Sequence, residues 1–219
     1  MKIIKASYQI MSPDIDNPDV VKNLYREIEE SGRVSYKSEA KTTDDSAEKM
    51  IRRLIRDGHE SVLEHVSMRV KFIVDRGISH ELVRHRLASF TQESTRYCNY
   101  SQDKFENEIT VIRPCFLNDS STGAFNSWSR AMIAAEETYF MMLKQGCTPE
   151  QARAVLPNSL KTEVMMTTNM REWRHILDLR AAGTTGKPHP QMLEVMIPLL
   201  NELRLKLPAL FEDILPMAI

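Results

Sequence analysis

The sequence predicts an α+β protein in which a single domain over residues 1–219 carries a central, mostly antiparallel sheet flanked by helices. Two observations predict this class. Stretches with helical periodicity and stretches with strand alternation follow one another without a linker, a repeat or a low-complexity tract. With 219 residues, of which 42% are hydrophobic, the chain can bury a sizeable core. Collagen-like, coiled-coil and wholly disordered chains are excluded by this composition.

The first 100 residues mix both kinds of pattern. Apolar residues recur every three or four positions in the predicted helices and alternate with polar residues in the predicted strands. A glycine after the last periodic residue marks a helix end. The predicted elements are a β-rich stretch over residues 2–10, a helix from about Asp19 to Ser31 that ends at Gly32, a helix over residues 44–57 that ends at Gly58, a half-buried strand over residues 66–74 that Gly77 breaks, a short helix over residues 79–87 capped by Ser79, and a polar loop over residues 88–97.

Helices dominate the second half of the chain. Their starts are indicated by capping residues, and one start also has proline at the first helical position. The predicted elements are a helix from about Phe125 to Gln145 that ends at Gly146, a helix after the capping box Thr148–Gln151, a strand over residues 161–168, a helix capped by Asn169 with Glu172 that runs to about Ala182, and a final helix from Pro190.

Charge, cysteine and glycine usage exclude several classes of function. The net charge is −1, so no global field attracts nucleic acid or a membrane surface. Three cysteines without CxxC spacing predict neither a disulfide framework nor a cysteine zinc site, and with no signal peptide and no long apolar run they favour the cytoplasm. No two of the seven glycines are spaced as GxG, which excludes the Rossmann, P-loop and GxSxG motifs. Side chains and helix ends must therefore hold any nucleotide phosphate.

The segment HESVLEH over residues 59–65 invites comparison with a zinc protease. His59 and His65 are six positions apart, about 240° around a helix, so they cannot share a metal in the HExxH manner. We therefore predict no metal. Ser61 to Glu64 matches a capping box, which would place His59 before a short helical turn whose amides can meet an anion. A plain loop histidine is the alternative.

A second cluster begins at Arg84, His85 and Arg86 and continues, after seven intervening residues, with Ser94 and Arg96. Neutral hydroxyl and amide side chains lie between these residues. Arginines among such neighbours suit a phosphate together with a base or sugar. The alternative is a solvated basic helix end.

The third cluster runs from Arg153 through Asn169 and His175 to Arg180. Singly, Asn169 is a helix cap and His175 a surface residue of a helix. Arg180 closes an otherwise apolar stretch, where a buried guanidinium would need an anionic partner. Cys115 follows a proline but has no evident activating neighbour, so a buried thiol is favoured over a nucleophile.

Arg84, His85 and Arg86, followed after seven residues by Ser94, resemble the signature of the flavin-dependent thymidylate synthases. GHESVLEH is similar to the histidine segment of that family that contacts flavin, ARAVLP to its nucleotide arginine segment, and TNMREWRHILDLR to its closing helix. These segments occur in family order between residues 35 and 180.

The resemblance assigns roles to individual residues. Two positions vary from the family form, Gln92 where glutamate can occur and His175 where asparagine can occur, and residues 181–190 are a further departure. It implies Arg180 and Ser94 as the catalytic residues. It implies FAD contacts by His59, Ser61, Arg84, His85, Arg86, Gln92, Asn169, Arg171 and His175. It implies contacts to deoxyuridine monophosphate (dUMP) by Glu81, Arg84, Gln92, Ser94, Arg96, Arg153 and Arg180.

The resemblance also implies a reaction and an assembly. FAD reduced by NADPH would drive methylation of dUMP to dTMP with a one-carbon unit from 5,10-methylenetetrahydrofolate. No cysteine is needed, and Ser94, which lacks a His and Asp pair, would orient the nucleotide. The implied assembly is a homotetramer with its sites between subunits. A nucleotide- or RNA-binding module without turnover and a structural oligomer protein are the alternatives.

Overall fold

The computed structural model describes residues 1–218, apart from the side chain of Lys104. Helices and strands are mixed, with an antiparallel sheet flanked by helices, which confirms the predicted α+β class. The strands are β1 (Lys2–Ile4), β2 (Ser7–Ser12), β3 (Ser67–Asp75), β4 (Ser89–Gln92), β5 (Thr110–Ile112) and β6 (Lys161–Asn169). The helices are α1 (Pro18–Val34), α2 (Ser46–Arg56), α3 (Arg76–Leu82), α4 (Gly123–Lys144), α5 (Pro149–Ala152), α6 (Met170–Leu177), α7 (Pro190–Lys206) and α8 (Pro208–Phe211).

The strands form two sheets. The larger sheet has the order β2-β3-β6-β4, so its two longest strands occupy the centre. The smaller sheet pairs β1 with β5 in parallel, with Lys2 opposite Thr110 and Ile4 opposite Ile112. Burial alternates along β3 and β6, as expected for strands that pack one face into a core.

The chain divides into two compact units. Unit 1 contains residues 1–7, 72–84 and 90–165. Unit 2 contains residues 8–71, 85–89 and 166–219. Strands β2, β3, β4 and β6 each contribute residues to both units. The single domain over residues 1–219 stays a prediction.

The core of unit 1 is built around aromatic rings. Tyr100 meets Phe105 and Tyr139 edge to face, with ring centroids 5.1 and 5.7 Å apart. Such pairs contribute about 0.5–1.5 kcal/mol beyond the area that they bury. The buried members of this core are Tyr100, Ile109, Val111, Met132, Tyr139, Ala152 and Leu160.

The core of unit 2 is built from helices. In α1 the side chains of Leu24 and Ile28 are buried, and in α2 those of Ile51 and Leu54. The prediction that the first helix ends at Gly32 was wrong, because α1 continues to Val34. A Cβ atom on Gly32 would lie 2.5 Å from Met50 Cε, so this glycine permits close packing inside the helix.

Three local predictions were wrong. Asp75, not Ser79, caps α3, accepting from the Ile78 amide at 2.7 Å; the buried Ser79 hydroxyl donates to the carbonyl of Arg76. The polar loop predicted over residues 88–97 contains β4, because its backbone pairs with β6. No side-chain cap forms before the 3₁₀ turn Glu60–His65, so the Ser61–Glu64 capping box is absent.

Other helix ends agree with the sequence. The Thr148–Gln151 capping box is formed, and Asn169 accepts from the Glu172 amide at 2.9 Å. The helix after Asn169 does reach Ala182, but its last turn, Asp178–Ala182, is π-helical. Among residues 1–218 no helix has the length and apolarity required to cross a membrane.

Candidate active site

A polar cavity of about 1100 Å³ lies in unit 2. The upper end of the usual range for small-ligand pockets is about 1000 Å³, so this cavity has the size for a large ligand. Of the predicted FAD contacts, Asn169, Arg171 and His175 line it, all from β6 and α6. His59 and Ser61 are exposed and lie outside the lining.

Five carboxylates line this cavity, against two arginines. Four of them lie in the segments GHESVLEH and TNMREWRHILDLR but received no binding role from the resemblance, whereas Asp213 lies on a segment without a motif. Glu172 was recognised only as part of a helix cap, although its place in the closing-helix motif was a usable signal. The five carboxylates are Glu60, Glu64, Glu172, Asp178 and Asp213.

The two cavity arginines are held by these carboxylates. Arg171 Nη1 lies 2.5 Å from Glu64, and its Nε lies 3.8 Å from Glu60. Arg174 forms a bidentate salt bridge with Asp213, in which Nη1 lies 2.8 Å from Oδ1 and Nη2 lies 2.7 Å from Oδ2. It also donates to the carbonyl of Leu210. Burial, the largest single influence, would raise the pKa of Asp213, but the hydrogen bond and the positive charge of Arg174 together outweigh it, so the pKa is lowered.

The RHR segment follows α3 as a turn and contains one buried residue between two exposed ones. His85 is buried, whereas Arg84 and Arg86 are exposed. Thr168 donates its hydroxyl to the carbonyl of Leu87 at 2.6 Å, which ties the end of this turn to β6. Neither Arg84 nor Arg86 pairs with a carboxylate of the described residues, so their charges are available to an anion.

Arg180 and His85 lie in contact although 95 residues separate them. Arg180 Nε donates to His85 Nε2 at 3.2 Å. Burial, followed by the positive charge of Arg180 and His175, lowers the pKa of His85 to about 4. The imidazole is therefore neutral at neutral pH and can accept from a guanidinium.

Of the predicted dUMP contacts of unit 1, Gln92 is the last residue of β4 and Ser94 follows shortly after it. Gln92 donates to Ser79 Oγ at 2.9 Å and to Thr162 Oγ1 at 3.2 Å. The half-buried Ser94 accepts from the backbone amide of Arg96 at 3.3 Å. Glu81, also half-buried, lies on α3.

Two arginines of this group differ in their partners. Arg96 pairs with Glu150 at 2.9 Å, whereas the exposed Arg153 donates, among the described residues, to Thr95 Oγ1 alone, at 3.4 Å. Arg153 therefore keeps an uncompensated charge, while Arg96 would have to exchange Glu150 for an anionic ligand.

The donor set fits a flavin dinucleotide. Asn169, Arg171 and His175 offer amide, guanidinium and imidazole groups to a cavity of sufficient volume, and Arg84 and Arg86 offer the charge that phosphates require. Among the described residues no cluster of three or more histidine, cysteine or acidic side chains could hold a metal ion. The cavity volume and the exposed arginines Arg84 and Arg86 fit a large ligand that carries phosphate groups.

Comparisons with known proteins place the chain in a family. Residues 19–209 match the family described as thymidylate synthase complementing protein. A flavin-dependent thymidylate synthase from Pyrococcus furiosus is 34% identical over 152 residues, which cover 68% of this chain and 60% of the relative. One from Mycobacterium avium is 31% identical, covering 85% and 78%. The chain belongs to the flavin-dependent thymidylate synthase family, and it spans about 60% of the length of the first curated relatives that it matches.

A solved structure supports the fold. It is a UMP/dUMP methylase, PolB from Streptomyces cacaoi, bound with 5-Br dUMP. Its TM-score is 0.74 at 23% identity, and the match covers 97% of this chain and 96% of that one. At this identity the likeness concerns the fold alone.

Proposed function

We propose that the protein is an FAD-dependent thymidylate synthase that methylates dUMP to dTMP. The one-carbon donor is 5,10-methylenetetrahydrofolate and the reductant is NADPH. The observation that carries the proposal is the RHR segment. Its buried His85 accepts a hydrogen bond from Arg180 and lies between two exposed arginines that pair with no carboxylate of the described residues.

Flavin binding falls to the RHR segment and to α6. Arg84 and Arg86 neutralise phosphates, a task that falls to side chains and helix ends in a chain without a glycine-rich loop. Asn169, Arg171 and His175 bind from the cavity side, and His59, Ser61, His85 and Gln92 complete the proposed contacts. Bound flavin supplies the hydride that completes the methyl group.

Nucleotide binding falls to the residues that the resemblance assigns to dUMP. Arg96 and Arg153 anchor the phosphate, and Glu81, Arg84 and Gln92 bind the base or sugar. The Ser94 hydroxyl accepts a backbone hydrogen bond from Arg96, which leaves its own O–H to orient and polarise the nucleotide. Arg180 stabilises negative charge that develops on the pyrimidine.

The proposed protein is a cytoplasmic homotetramer with its sites between subunits. The purified protein should be yellow and should convert dUMP to dTMP with the folate donor and NADPH. A colourless protein that does not take up added FAD would instead favour a nucleotide- or RNA-binding module without turnover.

The arginine variants sharpen this test. Arg86→Ala should lower the flavin occupancy of the purified protein, because the RHR segment then keeps only the charge of Arg84 to neutralise the flavin phosphates. Arg130→Ala, which removes an exposed arginine from α4, is the matched control and should keep its flavin. Equal flavin occupancy in both variants would contradict the assignment of Arg86.

A further inference from the structure

The hydrogen bond between Arg180 and His85 specifies the protonation of the histidine. A guanidinium has only donors, so His85 Nε2 must present a lone pair to Arg180 Nε–H. The imidazole proton then lies on Nδ1. The bond uses one of the five N–H donors of Arg180, the Nε–H at the edge of the guanidinium plane, and so restrains the orientation of that plane.

Glu172 lies on the other side of the imidazole. Its Oε1 is 3.9 Å from His85 Nδ1, and both side chains are about nine-tenths buried. At this distance the carboxylate acts on the ring electrostatically and favours a proton on Nδ1. Glu172 is itself fixed, because its backbone amide donates to Asn169 Oδ1 at the start of α6.

The π-helical turn after α6 helps to bring Glu172 and Arg180 to the same histidine. In an unbroken α-helix, residues eight positions apart lie about 80° apart around the axis. The wider turn over Asp178–Ala182 has hydrogen bonds five residues apart, so each residue advances through a smaller angle. Arg180 is therefore rotated towards the side of the helix that carries Glu172.

We propose that His85, supported by Glu172, is a positioning residue that holds the guanidinium of Arg180 in one orientation towards the pyrimidine. The inference rests on the proposed function, because it assigns a task to Arg180 in that reaction. A preorganised donor is effective only while its orientation is maintained before charge develops. Flavin contact alone would not require the imidazole to accept from Arg180.

The surroundings of His85 keep it in the accepting form. The charged and titratable groups that act on it are Arg180 and His175, which disfavour a second proton, and Glu172, which favours one on Nδ1. Burial also disfavours the imidazolium. Burial raises the pKa of Glu172, and His175 opposes that rise.

The first experiment compares His85→Phe with His85→Gln in the flavin-loaded protein. Phenylalanine removes the acceptor, whereas the glutamine carbonyl can still accept from Arg180. We expect His85→Phe to lower kcat by about 10- to 100-fold, the order of loss for a misplaced catalytic group, with a smaller change in the Kd for dUMP. His85→Gln should recover part of the rate. A wild-type kcat in His85→Phe, or no recovery in His85→Gln, would overturn the proposal.

A double-mutant cycle tests the support by Glu172. Glu172→Gln alone should lower kcat, but it should add little to His85→Phe, because it acts through the histidine. Glu202→Gln, which removes a carboxylate paired with Tyr8 and Lys206 outside the cavity, is the matched control and should leave kcat unchanged. Additive losses from His85→Phe and Glu172→Gln would show that Glu172 acts independently.

A spectroscopic measurement separates this inference from the proposed function. Nitrogen-15 NMR of histidine-labelled protein, with the His85 signal assigned by its loss in His85→Gln, should show the Nδ1–H form at pH 7. An Nε2–H or doubly protonated ring would overturn the inference whether or not the protein makes dTMP. The Nδ1–H form in a protein that makes no dTMP would refute the proposed reaction and leave the Arg180–His85 contact established.

Discussion

At the scale of single residues, Arg180 carries the proposed chemistry. Its side chain is half-buried and its Nε–H is oriented by His85, so the planar group is held rather than free to rotate. A guanidinium held in one orientation can donate to the negative charge that develops on the uracil. A lysine ammonium cannot replace it, because it is a point charge without the planar arrangement of donors.

Arg180→Ala should therefore lose turnover even at saturating nucleotide. Removing one preorganised donor of this kind typically costs about 2.7–4 kcal/mol, or roughly 100- to 1000-fold in rate. Arg180→Lys should recover little of it. The measurement is single-turnover oxidation of the reduced flavin with dUMP and the folate donor both saturating. A wild-type rate with only weakened dUMP binding would reduce Arg180 to an anchor.

His85 should make the free energy of unfolding depend on pH between its folded and unfolded pKa values. Its pKa is about 4 in the folded protein and about 6.5 when unfolded, so the unfolded chain binds more protons between these values. Stability should fall as the pH falls through this range. From pH 7 to pH 5 the loss attributable to His85 should be about 2 kcal/mol.

Urea unfolding of the wild type and His85→Gln at both pH values measures this contribution. The variant has no imidazole to protonate in the unfolded state, so its stability should fall less between pH 7 and pH 5. Identical losses in the two proteins would show that His85 titrates normally in the folded state.

At the scale of elements, α6 carries four of the cavity residues, Arg171, Glu172, Arg174 and His175, and depends on its cap. Asn169→Ala should lower the free energy of unfolding by about 1 kcal/mol, the usual cost of losing such a cap, and should weaken flavin binding. Asn17→Ala removes the corresponding cap of α1 and should cost about the same stability without affecting flavin. Asn169→Asp keeps the acceptor, so its stability should stay near that of the wild type; a loss as large as that of alanine would contradict the capping role.

The turn after the π-helical segment depends on Gly183. This residue has φ +73°, and an added Cβ would lie 2.5 Å from Met217 Cε. Gly183→Ala should cost at least about 1–2 kcal/mol, because an alanine in this conformation is strained before any contact is counted. Gly123→Ala at the start of α4, where no atom of the described part of the chain lies within 4 Å of the new methyl group, should be neutral or slightly stabilising. Urea unfolding measures both variants, and equal free energies of unfolding for Gly183→Ala and Gly123→Ala would contradict the strain at Gly183.

At the scale of the whole molecule, the proposed chemistry runs without a cysteine. No disulfide joins Cys98, Cys115 or Cys147; all three are half-buried residues of unit 1, and two of them pack against its aromatic core. The triple cysteine-to-alanine variant should keep its flavin and its turnover, although its free energy of unfolding should be lower. Loss of methylation in Cys115→Ala alone, in a folded and flavin-bound protein, would contradict the mechanism.

Local chemistry made several features predictable from the sequence alone. The caps at Thr148 and Asn169, the positive-φ glycines Gly58 and Gly146, and the alternation of β3 depend on residues a few positions apart. The RHR motif likewise lies within one segment, so the resemblance could assign its residues before the fold was known.

Only the tertiary structure decided the features whose partners are distant in the chain. β4 was predicted as a loop because its polar side chains lack a period, and its strand form depends on pairing with β6, about 70 residues further on. Arg174 and Asp213 are likewise joined by folding. The neutral imidazole of His85 arises from burial and from contact with Arg180, and neither burial nor contact at such separation is encoded by local spacing.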